Sequence, residues 1–195
     1  MNPSKIKLVR LDRRRLGDFE HLLSNKEFGG CFCARWRSAQ EEGWAESCKD
    51  KKQENLEATR RHIQEGGHAG FLIVRDNDGA VVGWTGSGPK TSFPLMKDRP
   101  GSRLGPFEDS VWAVGCIAMA YAYRGLGYAQ ETVSLLVEEA RKAGASSLEA
   151  CPIEGGEETC AWRGTKGMYE GLGFSVAGKE EDKGRTVLRM ERKLA

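Results

Sequence analysis

The chain reads as one α/β domain, because strand and helix patterns alternate along its 195 residues in three places. An apolar run over residues 111–119 gives way to a glycine-bearing turn and an amphipathic helix. A hairpin pattern occupies residues 69–89. A short helix stopped by Gly173 precedes two strand patterns, at Ser175-Val176 and at residues 186–190. No break in composition divides the sequence, so residues 1–195 are expected to form a single domain with a full core.

In chain order, residues 5–11 alternate, with Ile6, Leu8 and Leu11 marking a first strand. Residues 16–24 put Phe19, Leu22 and Leu23 on one helical face. The run Arg13-Arg14-Arg15 before them reads as a solvated face. Residues 41–65 are charged, carry Leu56, Ala58 and Ile63, and predict a solvated helix or two that Gly66-Gly67 stops. His62 and His68 flank that stop and read as surface histidines. In the hairpin, Asp76-Asn77-Asp78-Gly79 supplies a turn with glycine at its φ > 0 position, and Val81-Val82-Gly83-Trp84 returns. Residues 90–109 form a long loop, a candidate lid. Residues 147–152 read as a fifth strand, 163–172 as a helix, and 178–184 as a polar connection within the last strand pair.

A net charge of +2 provides no strongly basic face, so nucleic acid is not an expected partner. Residues 1–7 lack the apolar core of a signal peptide, and no run approaches membrane-spanning length. A cytoplasmic location follows as the expectation, with the six cysteines mostly reduced. A homodimer stays open.

The chemistry concentrates at Arg124-Gly125-Leu126-Gly127-Tyr128-Ala129. A helix entered through such a turn presents free backbone N–H groups and its positive dipole end, and two glycines let a bulky anion approach the main chain. A phosphate fits that description. The dinucleotide pattern G-x-G-x-x-G would need a third glycine where Gln130 stands. The stretch from Ile117 to Ala129 instead resembles motif A of the GCN5-related N-acetyltransferases (GNAT), whose turn reads Gln/Arg-x-x-Gly-x-Gly/Ala. Residues 122–127 match it at both glycines, with Ala122 in the first place. Met168-Tyr169-Glu170-Gly171-Leu172-Gly173-Phe174 resembles the end of motif B, Leu-Tyr-x-x-x-Gly-Phe. That motif commonly carries Asn and Ala where this chain has Trp162 and Thr165. Cys31-Phe32-Cys33, Val111-Trp112 and Gly173-Phe174 together resemble a bacterial branch of the superfamily, which implies no particular acceptor.

The resemblance implies a mixed central sheet splayed between its fourth and fifth strands, with flanking helices. It also implies direct transfer of an acetyl or other acyl group from acetyl-CoA to a primary amine of a small molecule, with no metal. On this reading the main chain of Ile117, Ala118 and Met119 partners the pantetheine arm, and the N–H of Ile117 or Ala118 polarises the thioester carbonyl. Arg124, Gly125, Leu126, Gly127, Tyr128 and Ala129 hold the pyrophosphate, and Tyr169 protonates the departing thiolate. The segment between the first two strands, residues 29–37 included, forms part of the acceptor pocket. Candidate bases are Glu149, Glu108 and Asp109, or a chain of waters. Cys151 and Cys160 have no histidine near them in sequence, all three lying before residue 69, so direct transfer is preferred to an acyl-enzyme.

Two other classes compete. A non-catalytic acyl-CoA sensor would keep residues 124–129 and dispense with Tyr169. A metal- or redox-responsive protein would use Cys31, Cys33 and Cys48. The one-residue spacing of Cys31 and Cys33, with no second pair, argues against a structural metal.

Overall fold

The computed structural model describes residues 5–32, 34–37, 48, 50–155 and 162–194, the side chain of Arg35 excepted. Cys33, Cys160 and most of 38–49 thus lie outside the described residues. Seven strands form one sheet: β1 (Ile6–Arg10), β2 (Phe71–Arg75), β3 (Val81–Pro89), β4 (Val111–Met119), β5 (Ser147–Ala150), β6 (Ser175–Asp182) and β7 (Arg185–Lys193). Their spatial order is β1-β2-β3-β4-β5-β7-β6. Every pair is antiparallel except β4–β5. The expected mixed sheet is present.

Strand alternation sorts side chains into two cores. On one face Ile6, Phe71, Ile73, Trp112, Ile117 and Met119 pack against helix α3 (Tyr128–Lys142), which buries Val133, Leu136, Val137 and Ala140. On the other, Leu72, Val74, Trp84 and Ala113 meet Phe19, Leu22 and Leu23 of α1 (Leu16–Leu23) and Ile63 of α2 (Lys52–Gln64). Covered on both sides, β2 is a continuous apolar run. Three helices end alike. α2 closes through Gly66, α3 through Gly144 and the short α4 (Lys166–Gly171) through Gly173, each at positive φ. In each, the N–H two past the cap returns to a carbonyl five residues back, such as Ala145 to Ala140 at 2.9 Å.

Two sequence expectations change. Residues 178–184 are not a loose connection: β6 runs through Asp182, and Lys183 and Gly184 at φ +50 and +74 make a two-residue hairpin turn. The 90–109 stretch is not a free lid. It folds into three short 3-10 turns, buries Phe93 and Met96, and is tied at both ends. Lys90 Nζ donates to the Ser102 carbonyl at 2.7 Å, the Gly101 N–H donates to Glu180 at 2.8 Å, and Arg103 pairs with Glu180.

Beneath it lies a buried ion cluster. Glu149 of β5, 1% exposed, accepts from Lys90 at 2.8 Å and from Arg189 of β7 at 2.6 and 2.9 Å. A Cβ on Gly105 would stand 2.3 Å from Arg189 Nε, so the loop packs directly on this cluster. Glu149 is thus held as a structural carboxylate rather than presented as a base.

Candidate functional site

β4 and β5 pair only from Val111↔Ser147 to Val114↔Ala150; β5 then ends while β4 continues for five more residues. A β-bulge sits at the parting. Against β3, Thr85 faces Ile117 but Ser87 faces Val114, so Gly115 and Cys116 together oppose Gly86. Thr85 Oγ1 donates to the Cys116 carbonyl at 2.8 Å, satisfying the acceptor that the bulge displaces. A Cβ on Gly115 would stand 2.6 Å from the Gly86 carbonyl oxygen, so only glycine fits there. Beyond the bulge, the Ala120 N–H bonds the Val82 carbonyl at 3.0 Å. By alternation Ala118 also faces β3, while Ile117 and Met119 turn their main-chain groups toward the gap left by β5.

The chain then makes a 3-10 turn at Tyr121–Tyr123 and enters α3 through Gly125 (φ +73) and Gly127 (φ +81). Both conformations favour glycine, and a Cβ at either would meet nothing within 4 Å. The opening is therefore not filled by the protein itself. Arg124 folds back: Nε donates to the Met119 carbonyl at 3.0 Å and its guanidinium lies 5.5 Å from the Tyr121 ring centroid. It braces the end of β4, and Glu27 braces it in turn, accepting the Tyr121 N–H at 2.7 Å and lying 3.7 Å from Arg124.

A groove of about 1270 Å³ runs from this turn along the open edge of β4 to the segment after α1. Ile117, Ala118, Met119, Arg124, Gly125, Gly127, Tyr128 and Ala129 all line it. Leu126 does not, and it is 44% exposed. Tyr169 stands behind the lining residues Met168 and Arg163. It is fully buried, packs edge-on against Phe174, and donates its hydroxyl to the Arg163 carbonyl at 2.8 Å. Burial raises its phenol far above the usual range, and the nearby thiols of Cys151 and Cys116 push the same way. Thr165, absent from the motif, is the N-cap of α4: its Oγ1 accepts the Met168 N–H at 3.2 Å and so sets where this helix begins.

The far wall was less visible in the sequence. Phe32 adopts φ +41, a conformation uncommon outside glycine, and is held by α2. Thr59 Oγ1 donates to the Phe32 carbonyl at 2.6 Å and Asn55 Nδ2 to the Gly30 carbonyl at 3.3 Å. These two buried polar residues on a charged helix were the available signal. The mooring places Cys31 and Trp36 on the groove, where Cys48 and Cys116 also lie. Among the described residues, no cluster of three His, Cys, Asp or Glu could hold a metal. Cys151, next to the parting, has its thiol pushed up to about 12 by burial and by Glu149. No described helix is long and apolar enough to cross a membrane.

Residues 32–174 match the model of the family described as acetyltransferase (GNAT). No curated protein matches the sequence. Among solved structures, a spermidine N-acetyltransferase chimera from Vibrio cholerae and hSSAT superposes with a TM-score of 0.59 at 14% identity, covering 98% of this chain and 96% of that one. The aminoglycoside acetyltransferase AAC(6')-Ib, in complex with ribostamycin and coenzyme A, gives 0.56 at 13% over 97% and 94%. An N-acetyltransferase from Staphylococcus aureus gives 0.53 at 15% over 98% and 100%.

Proposed function

The chain belongs to the acetyltransferase (GNAT) family, and on that premise we propose that it moves the acetyl group of acetyl-CoA directly onto a primary amine of a small molecule. The observation that carries this is the combination at β4: a strand edge opened by a bulge, leading straight into a helix N-terminus entered through two positive-φ glycines. An extended pantetheine arm can add to such an edge as a strand would. The free N–H groups at the start of α3 suit a pyrophosphate. Solved neighbours hold coenzyme A or acetyl-CoA.

Acetyl-CoA supplies an activated thioester. The residues of the chain do the rest. The backbone N–H of Ile117, turned to the gap, donates to the thioester carbonyl oxygen as negative charge grows there. Gly125 and Gly127 leave the main chain bare, and Arg124, Gly125, Gly127, Tyr128, Ala129 and Gln130 cradle the pyrophosphate. The amine nitrogen bonds the acyl carbon and gives its proton to a chain of waters, the C–S bond breaks, and Tyr169 holds the proton for the departing sulfur. A phenol is protonated at neutral pH without help, and to act it exchanges the Arg163 carbonyl, its partner at 2.8 Å, for the thiolate. Cys151 stays a thiol at neutral pH, which favours direct transfer over an acyl-enzyme at that position.

Gly127→Glu tests the reading by putting a carboxylate where the pyrophosphate sits. Acetyl-CoA affinity measured by calorimetry should fall a hundredfold or more, about 2.7 kcal/mol. Unchanged affinity in a folded variant would remove the assignment. An acyl-CoA sensor would lose binding equally but would show no turnover with any amine in the parent protein.

A further inference from the structure

We infer that the acceptor is an amine carried on a flat aromatic body, rather than a polyamine or an aminoglycoside. The inference rests on the acyl-transfer reading and names the substrate class of the same groove.

Trp36 leans on the main chain just past the parting of β4 and β5, its Nε1 3.1 Å from where a Cβ on Gly115 would be. That places an indole beside Cys116 and Ile117, where the acyl carbonyl is read to sit. Trp162 meets Trp36 edge-on with ring centroids 6.1 Å apart, and the Arg163 guanidinium covers the Trp162 ring at 4.7 Å. Phe28 and Trp84 continue the wall toward α1. The wall close to the reacting carbon is thus aromatic, Trp36 and Trp84 showing it only their edges, at 7% and 1% exposed, and the half-buried Trp162 and Phe28 more of their rings. Large rigid rings give a planar guest contact area at small entropic cost.

Charge points the same way. A guest with several ammonium groups needs carboxylates along its length. Among the described residues the groove carries Glu27, Asp98 and Asp182, against a larger set of arginines and lysines. Glu27 is engaged with the Tyr121 N–H and Arg124, and Asp98 lies exposed at the rim. Glu149, deeper in, is bound by Lys90 and Arg189. Along the described part of the wall, like charges disfavour a polycation.

The test compares 2-phenylethylamine and tryptamine with spermidine and kanamycin as acceptors, following acetylated product by mass spectrometry, with acetyl-CoA binding measured separately by calorimetry. The expected result is a kcat/KM at least tenfold higher for the arylalkylamines. Trp162→Ala should raise their KM tenfold or more while leaving acetyl-CoA affinity unchanged. Trp36→Leu, which fills the buried site with an apolar side chain, should do likewise, with thermal melting confirming the fold. If acetyl-CoA binds but spermidine or kanamycin is preferred, or no arylalkylamine is acetylated, or both variants leave KM unchanged, the acceptor class is overturned and acyl transfer stands. If acetyl-CoA does not bind, the functional reading falls first and this one with it.

Discussion

Glu149→Gln keeps the shape of the buried side chain and deletes one negative charge between two cations. The magnitude follows from the geometry. Lys90 is 0% exposed, with its ammonium 2.8 Å from Glu149 and 2.7 Å from the Ser102 carbonyl. Arg189 retains Glu191 at 3.3 Å after the change, but Lys90 retains only the carbonyl oxygen. Leaving a buried charge uncompensated costs about 3–5 kcal/mol. For a chain of this length that corresponds to roughly 6–20 °C in melting temperature. The assay is urea unfolding followed by tryptophan fluorescence, with the cost read from the midpoint and slope. Lys90→Met should cost less, because Glu149 keeps Arg189 at 2.6 and 2.9 Å, and the double variant should cost about 2 kcal/mol less than the sum, because it removes the ammonium that Glu149→Gln alone would strand. A Glu149→Gln protein within 1 kcal/mol of the parent, or strictly additive single changes, would refute the view that this cluster pins the 90–109 loop to the sheet.

Tyr169→Phe should lower turnover by about 10²–10⁴ while acetyl-CoA affinity holds; turnover within threefold of the parent would leave backbone polarisation and proximity to explain the rate. Burial lowers the pKa of His68, whose Nε2–H donates to the Ser87 carbonyl at 2.8 Å, and burial lowers His62 in the same way. The unfolded chain, with histidines near 6.5, then binds more protons. Stability should be full above about that pH and decline as the pH falls below it, and His68→Gln should flatten the melting-temperature profile between pH 7 and 5.5. A thiol pushed up to about 12 should make the half-buried Cys151 react with iodoacetamide at pH 8 roughly a thousandfold more slowly than free cysteine, because the thiolate is the nucleophile; peptide mapping that shows rapid Cys151 labelling would contradict that shift.

What the sequence disclosed was local. The strand at 111–119, its glycine turn and α3 declare themselves through apolar period and positive-φ glycines, which need no distant partner. The loop at 90–109 was misread because its anchors are remote: Glu149 is 59 residues from Lys90, and Glu180 is 79 from Gly101. β6 was read too short, from Ser175-Val176 alone, because an exposed edge strand has no buried face to impose alternation, and Lys183-Gly184 lacks the Asn-Gly or Asp-Gly signature of such turns. The bulge at Gly115 and Cys116 depends on register against β3, which no single stretch encodes. Trp36 could be flagged as an aromatic between the first two strands, but only the hold of α2 on Gly30 and Phe32 aims it at the parting.

The bulge also works as a phase shifter. Ahead of it, even-numbered residues Trp112 and Val114 face the α3 core and Ala113 the other; past it, odd-numbered Ile117 and Met119 face α3, with Cys116 and Ala118 opposite. One surplus residue reverses the parity of the strand. Deleting Gly115 would leave Val114 and Ile117 two positions apart, as in a regular strand, so Ile117 would still oppose Thr85 and face α3; what would go is the bulge itself, and with it the local bend and extra twist at the parting from β5. Side chains of similar size can be exchanged along this strand, whereas losing the surplus residue between Val114 and Ile117 would straighten the edge on which the proposed chemistry depends.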